Sequence, residues 1–213
     1  MIIEYIELPV PHIIVRNVFS DEDVNLVWKE LDFLTHSEKL LSPTESRSAK
    51  ENGMILKNNH AVFLEDVYRN PKFSDIFRAT RKVFSKEFFD EVCSKNSIFE
   101  WIKQVNNESF LVSYYDNNDN YLPHKDNSVY TILINFYKEP KAFTGGDLTL
   151  GNINYKIPLE NNRMIIIPSW AKHGVTPVKF IENCPPLSGL GRYTISTFFY
   201  IHNIIPDDYN NIR

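Results

Sequence analysis

A mainly β fold with flanking helices is what this sequence predicts, and two observations carry it. From Ser109 onward, short β-type runs alternate with turns: FLVSYY, YTILINFY, GGDLTLG, RMIIIPS, HGVTPV and RYTISTFFYIH. Strands at that spacing imply a sandwich or barrel. Ahead of them, two amphipathic stripes at helical spacing supply a layer to pack on one sheet. The 213 residues suit a single domain. Its expected parts are N-terminal strands and supporting helices over 1–108, a β core over 109–202, and a tail over 203–213.

Residues 2–19 read as one or two strands, ending in HIIVRNVF. In SDEDVNLVWKELDFL, Ser20 can cap a helix, acids crowd the first turn, and Val24, Val27, Trp28, Leu31 and Leu34 keep the stripe. Residues 41–60 are polar and without period, so they read as a long loop, a feature that tends to be functional or mobile. With Gly53 as a pivot beside Met54, Ile55 and Leu56, the loop has the composition of a lid over the barrel mouth. Residues 72–92 read as one amphipathic helix with Phe73, Ile76, Phe77, Val83, Phe84, Phe88 and Val92 on its apolar side. Asn pairs at 117–118, 161–162 and 210–211 fall where turns are wanted.

Composition narrows the function. A net charge of −4 and a pI near 5.9 argue against a general phosphate-binding surface, so nucleic acid is a poor candidate partner. Cys93 and Cys184 form neither C-x-x-C nor a disulfide framework, which suits a reducing compartment. The N-terminus MIIEYIELPVPHII lacks a basic n-region, and no apolar run approaches a membrane span. A soluble, intracellular protein is the expectation.

The stretch YLPHKDNS places His124 and Asp126 two residues apart, and in a strand such residues share a face. Alone, His124 would more often be a surface or capped core histidine. His173 follows 47 residues beyond Asp126, after a Pro-Ser turn, and Arg192 lies 19 residues further on. Two imidazoles and a carboxylate are the facial triad of non-haem Fe(II) oxygenases, which leaves positions open for a 2-oxo acid and O₂. A deep Arg192 could pair bidentately with the far carboxylate of such a co-substrate, with Thr194 adding a hydroxyl from the same strand face.

Residues 110–200 resemble the 2-oxoglutarate/Fe(II) dioxygenases, in particular the prolyl 4-hydroxylase-like branch. The resemblance rests on Tyr115 and Tyr121, nine and three residues before His124, on H-x-D itself, on GGDL, on IPSWAKH and on RYTI. It implies a double-stranded β-helix (jelly roll), with Fe(II) on His124, Asp126 and His173. It further implies 2-oxoglutarate at Arg192, Thr194, Tyr115 and Asn135, where Asn135 stands in for a Tyr that some relatives carry. Tyr121, Trp170 and Arg47 are the candidate substrate-pocket residues. O₂ and 2-oxoglutarate become the expected partners, ascorbate the auxiliary reductant, and a protein or peptide side chain, prolyl first, the substrate. The chain departs from the pattern in the inserted IENCPPLSG before Arg192 and in DNNDN, which replaces a Gly-rich turn.

Two other classes compete with this reading. A nucleic-acid or small-molecule oxygenase or demethylase of the same fold is one. The nucleic-acid demethylases add a second Arg six residues after the first, where this chain has Phe198. A non-catalytic jelly-roll interaction module is the other, and the complete triad with Arg192 speaks against it.

Overall fold

The computed structural model describes residues 1–151 and 155–202. In chain order its elements are β1 (Ile2–Ile6), β2 (His12–Arg16), α1 (Asp21–His36), β3 (Lys50–Glu51), β4 (Met54–Ile55), β5 (His60–Phe63), α2 (Leu64–Val67), α3 (Asp75–Val83) and α4 (Lys86–Lys95). Then follow β6 (Asn107–Tyr115), β7 (Tyr121–His124), β8 (Tyr130–Phe136), β9 (Phe143–Gly145), β10 (Leu148–Leu150) and β11 (Tyr155–Ile157). The last are β12 (Arg163–Pro168), β13 (His173–Val175), β14 (Val178–Phe180) and β15 (Arg192–Tyr200).

A large sheet in the order β1-β2-β12-β8-β15-β6-β5 faces a smaller one in the order β11-β10-β13-β7, with β9-β14 and β3-β4 as separate two-stranded ribbons. Every strand pairing among the described residues is antiparallel, the arrangement of a jelly roll. The N-terminal strands extend the large sheet at its two ends, β2 then β1 on one side and β5 on the other, so they continue it without forming a layer of their own.

Alternation along the central strands separates two environments. Phe110, Val112, Tyr114, Ile132, Ile134, Phe136, Tyr193, Ile195 and Phe199 meet Val27, Leu31, Leu34, Ile76, Phe77, Phe88 and Val92 of the helices in one buried core. Each such aliphatic or aromatic side chain contributes about 1.5–3 kcal/mol on burial, which is why the outer sheet face needs its helical cover. The alternate residues point between the sheets, where Leu133, Ile165 and Ile167 pack against Leu148, Leu150 and Ile157.

α1 starts as its sequence dictates: the Ser20 side chain accepts from the Asp23 N–H, behind Asp21, Glu22 and Asp23 in the first turn. The single helix expected over 72–92 is instead two. Ser74 caps α3 by accepting from Phe77 N–H, the chain turns at Phe84, and Ser85 in extended geometry caps α4 by accepting from Phe88 N–H. Two serine caps outweigh a continuous apolar stripe, and Phe73 falls outside both helices in a 3-10 turn, 77% exposed. Asn118 and Asn162 both take left-handed φ values, 67° and 51°, as turn asparagines do. Asn210, Asn211 and the expected 203–213 tail lie outside the described residues.

Residues 41–60 are better ordered than a loop without period suggests. Leu41 bridges Ala61, β3 and β4 make a small hairpin, Lys57 bridges Tyr121, and Leu56, Lys57 and Asn59 are buried. The segment is tied to the site strand where Leu122 N–H donates to the Leu56 carbonyl at 2.8 Å.

Candidate active site

β15 builds one wall by simple alternation. Arg192, Thr194, Ser196 and Phe198 line a cavity of about 270 Å³, while Tyr193, Ile195 and Phe199 turn to the helical core. On β6, Leu111, Ser113 and Tyr115 line the same cavity, and Thr131 and Leu133 do so from β8. Register brings the groups together, since Arg192 faces Tyr115 and Thr194 faces both Ser113 and Asn135 across the neighbouring ladders.

His124 ends β7 and His173 begins β13, and the two are direct partners across that antiparallel pair. Gly174 makes the close approach feasible, because a Cβ there would stand 2.7 Å from the Tyr121 carbonyl. Asp126 lies just past β7 rather than within it, its N–H donating to the Ser169 carbonyl at 3.1 Å. Ligand atoms of His124, Asp126 and His173 all fall within 4.8 Å of one another. The His124 Nε2 to Asp126 Oδ1 distance is 3.6 Å, and that from His173 Nε2 to Asp126 Oδ2 is 3.3 Å.

The imidazoles are held the same way. Nδ1 of His124 contacts the Leu122 carbonyl, and Nδ1 of His173 the Ala171 carbonyl, each at 2.9 Å. A carbonyl can only accept, so both rings donate from Nδ1, leaving Nε2 to face Asp126. The Thr131 hydroxyl donates to Asp126 Oδ2 at 2.5 Å and meets Ser169 Oγ at 2.9 Å, which in turn meets Ser128 Oγ at 2.6 Å. Burial, reinforced by the neighbouring His173, pushes the His124 pKa down to about 4. Burial acts in the same direction on His173, but the hydrogen bond and charge of Asp126 outweigh it and raise the pKa.

Arg192 is 1% exposed. One nitrogen donates to Asn135 Oδ1 at 2.9 Å and another to the Thr194 hydroxyl, while Nε has no partner. Its guanidinium lies 4.7 Å over the Tyr115 ring. Burial depresses its pKa, opposed by Tyr115 and Asp147, and among the described residues no carboxylate lies within ion-pair distance. A buried guanidinium without a counterion is costly unless a ligand supplies one.

Residues 109–200 match the family model of the 2OG-Fe(II) oxygenase superfamily. Those residues form a domain of the 2OG-Fe(II) oxygenase type. No curated protein sequence matches the chain. Among solved structures, the chain is similar to a Pseudomonas putida prolyl-4-hydroxylase at 10% identity, covering 89% of this chain and 92% of that one with a TM-score of 0.61. It is also similar to the viral collagen prolyl hydroxylase of Paramecium Bursaria Chlorella virus-1, solved with 2OG, at 12% identity, 88% and 94% coverage and a TM-score of 0.52. OsALKBH1 matches at 14% identity, with 94% and 100% coverage and a TM-score of 0.50. At these identities the likenesses speak for the fold.

The donor set of the oxygenase domain fits the Fe(II) that its family implies. Two imidazole nitrogens and one carboxylate on one side of a cavity are the donor types a facial site needs. Spacings of 3.3 and 3.6 Å are near the roughly 3 Å between adjacent ligands of an octahedral ion with bonds of about 2.1 Å. Arg192, with no counterion of its own, fits a dicarboxylate such as 2-oxoglutarate.

Of the other expected residues, Tyr115 forms the floor beneath Arg192, and Asn135 reaches Arg192 with its side-chain oxygen. The Tyr121 ring stacks on His124, and Arg47 lines the cavity while paired with Asp66 at 2.8 Å. Trp170, a candidate for the pocket wall or its rim, is 56% exposed and absent from the cavity lining. It sits in the turn after β12, where its neighbour Ser169 points inward instead. Sequence reasoning missed Thr131, Ser169 and Lys57. The first two carry a faint signal, as hydroxyls in otherwise apolar strand runs. Lys57 carries none, being one of several cations in a polar loop.

Proposed function

We propose that the protein is an Fe(II)- and 2-oxoglutarate-dependent dioxygenase that hydroxylates a peptide or protein side chain, prolyl first. His124, Asp126 and His173 hold the metal, and Arg192, aided by Thr194, Asn135 and Tyr115, takes the far carboxylate of 2-oxoglutarate. The observation that carries this reading is one cavity containing both the histidine–carboxylate cluster and a buried arginine without a counterion. Fe(II), when bound, supplies O₂ activation coupled to decarboxylation of 2-oxoglutarate to succinate.

The chain's own part is orientation and exclusion of water. Carbonyl contacts from Leu122 and Ala171 keep both Nε2 lone pairs available, and Thr131 fixes the Asp126 carboxylate. Phe63, Leu111, Leu133, Val175 and Phe198 give the cavity an apolar portion suited to a ring such as that of proline. Phe198, where the nucleic-acid enzymes carry a second Arg, supports peptide over nucleic acid. Free Cys93 and Cys184 go with a reducing, intracellular setting, and no helix among the described residues is long and apolar enough to cross a membrane.

Succinate release with Fe(II), 2-oxoglutarate and ascorbate, across a peptide panel, a methylated-oligonucleotide panel and no substrate, tests the proposal. Stimulation by proline-containing peptides is expected. Stimulation by oligonucleotides alone would replace peptide with nucleic acid, and no succinate under any condition would remove the enzymatic reading.

A further inference from the structure

The cavity wall contains a second cation without a counterion. Lys57 is 5% exposed and lines the same cavity as His124 and Arg192. Its ammonium has one neighbour to bond, the Ser46 carbonyl at 3.3 Å, and among the described residues no carboxylate lies within ion-pair distance of it. The cavity's other cations are accounted for: Arg47 pairs with Asp66, Lys125 is exposed to solvent, and Arg192 has Asn135, Thr194 and Tyr115. Asp126 is the sole carboxylate of the described cavity wall, and it is engaged by His124, His173 and Thr131.

Position is set by the backbone. Lys57 forms a β-bridge with Tyr121, whose ring covers His124, so the ammonium belongs to the histidine end of the cavity. A divalent metal with Asp126, and a 2-oxoglutarate dianion with Arg192, would together be neutral, so neither group offsets Lys57. A lysine in the cavity wall with three hydrogen-bond donors and a single protein acceptor among the described residues has two donors left for a ligand in that cavity.

We infer that Lys57 is a specificity residue that pairs with a carboxylate carried by the substrate beside the carbon to be hydroxylated. This deepens the peptide-hydroxylase reading and rests on it. The carboxylate comes either from an Asp or Glu flanking the target residue or from the main-chain carboxylate of a free or C-terminal amino acid. A phosphate backbone is disfavoured because the site is a single enclosed cation in a chain with a net charge of −4, without the extended basic surface that nucleic acid needs.

Equilibrium binding to the full chain loaded with Mn(II) and 2-oxoglutarate tests this inference. The probes are proline-centred octapeptides with Glu or Gln next to proline, N-acetylproline and its amide, and a single-stranded oligonucleotide. Lys57→Met and Lys57→Arg are compared with the wild type, and isothermal titration checks Mn(II) and 2-oxoglutarate binding in each. The expected result is a tenfold or greater preference for the Glu peptide over Gln, or for N-acetylproline over its amide. Which pair shows the preference identifies the source of the carboxylate. That preference should collapse in Lys57→Met and persist in part in Lys57→Arg.

Equal binding of charged and neutral probes by the wild type would overturn the inference, as would a preference that survives Lys57→Met. Tighter binding of the oligonucleotide than of any carboxylate probe would also overturn it. Loss of 2-oxoglutarate binding in Lys57→Met would reassign the residue to the co-substrate. If no probe binds while Mn(II) and 2-oxoglutarate do, the carboxylate inference fails and the oxygenase reading stands. Failure of wild-type Mn(II) and 2-oxoglutarate binding would instead defeat the underlying reading.

Discussion

The Tyr121 ring lies flat on the His124 imidazole, centroids 3.7 Å apart and planes 16° from parallel. The phenol also ties the 41–60 segment to the site, since its oxygen accepts from the Ala49 N–H at 3.3 Å. Tyr121→Phe keeps the stack and should leave metal affinity within a few-fold. Tyr121→Ala frees the imidazole and should weaken Mn(II) binding by about tenfold, the low end for a group that orients a ligand. Calorimetric titration of the two variants separates the roles.

His124→Ala and Asp126→Ala should abolish Mn(II) binding and 2-oxoglutarate decarboxylation while leaving the far-ultraviolet circular dichroism unchanged. Thr131→Val removes the hydroxyl that steadies Asp126 and should cost about 10–100-fold in metal affinity. Full turnover in either alanine variant would rule out the ligand assignment.

Arg192→Lys should raise the apparent KM for 2-oxoglutarate at least tenfold and leave metal affinity nearly unchanged. An ammonium cannot reproduce the planar fork held between Asn135 and Thr194. An unaltered KM would place the carboxylate elsewhere, with Lys57 the first alternative because it is the other buried cation lining the cavity, whereas Arg163 lies outside the lining and pairs with Glu160.

Much of this site was legible because its chemistry needs particular residue types at particular spacing. His124, Asp126, His173 and Arg192 could be singled out together, and strand alternation placed Thr194 beside Arg192. What could not be read depends on distances the sequence does not encode. Lys57 looks like any loop cation until a bridge to Tyr121 buries it, and Thr131 and Ser169 meet only through the turn after β12. The break between α3 and α4 was hidden for a local reason: an unbroken apolar stripe masked the capping serines at 74 and 85.

Stability should depend on pH through Asp119, in the turn that replaces a Gly-rich one. Burial raises its pKa from 3.8 to about 6, the adjacent Asp116 charge adding to the effect and the Asp116 N–H opposing it. A carboxyl raised on folding contributes stability that is fully present below its unfolded value and lost as pH rises through about 6. Asp119→Asn keeps an acceptor without the charge, so it should stabilise the protein by about 1–2 kcal/mol at pH 8 and by little below pH 4. Urea unfolding at both values checks it, and an equal gain at both would contradict the assigned cause.

Amide exchange over residues 41–60 should be uneven. Leu56, whose N–H donates to the Ala49 carbonyl, should exchange slowly, and the Asn52–Gly53 turn fast. If the segment closes over substrate as a lid, exchange in the turn will slow on loading with Mn(II), 2-oxoglutarate and a bound peptide. Protection of the turn in the empty protein equal to that of β8 would rule the lid out.

The pairing of His124 with His173 has a mechanical consequence. The two residues are 49 apart in sequence and opposite one another on β7 and β13, at the edge of the smaller sheet. An ion shared between them acts as a removable staple across that ladder, because sliding either strand by one residue would swing its imidazole to the other side. Holding ion at a hundred times its dissociation constant strengthens the folded state by about 2.7 kcal/mol. Chelation should therefore loosen this edge while the seven-stranded sheet keeps its helical support.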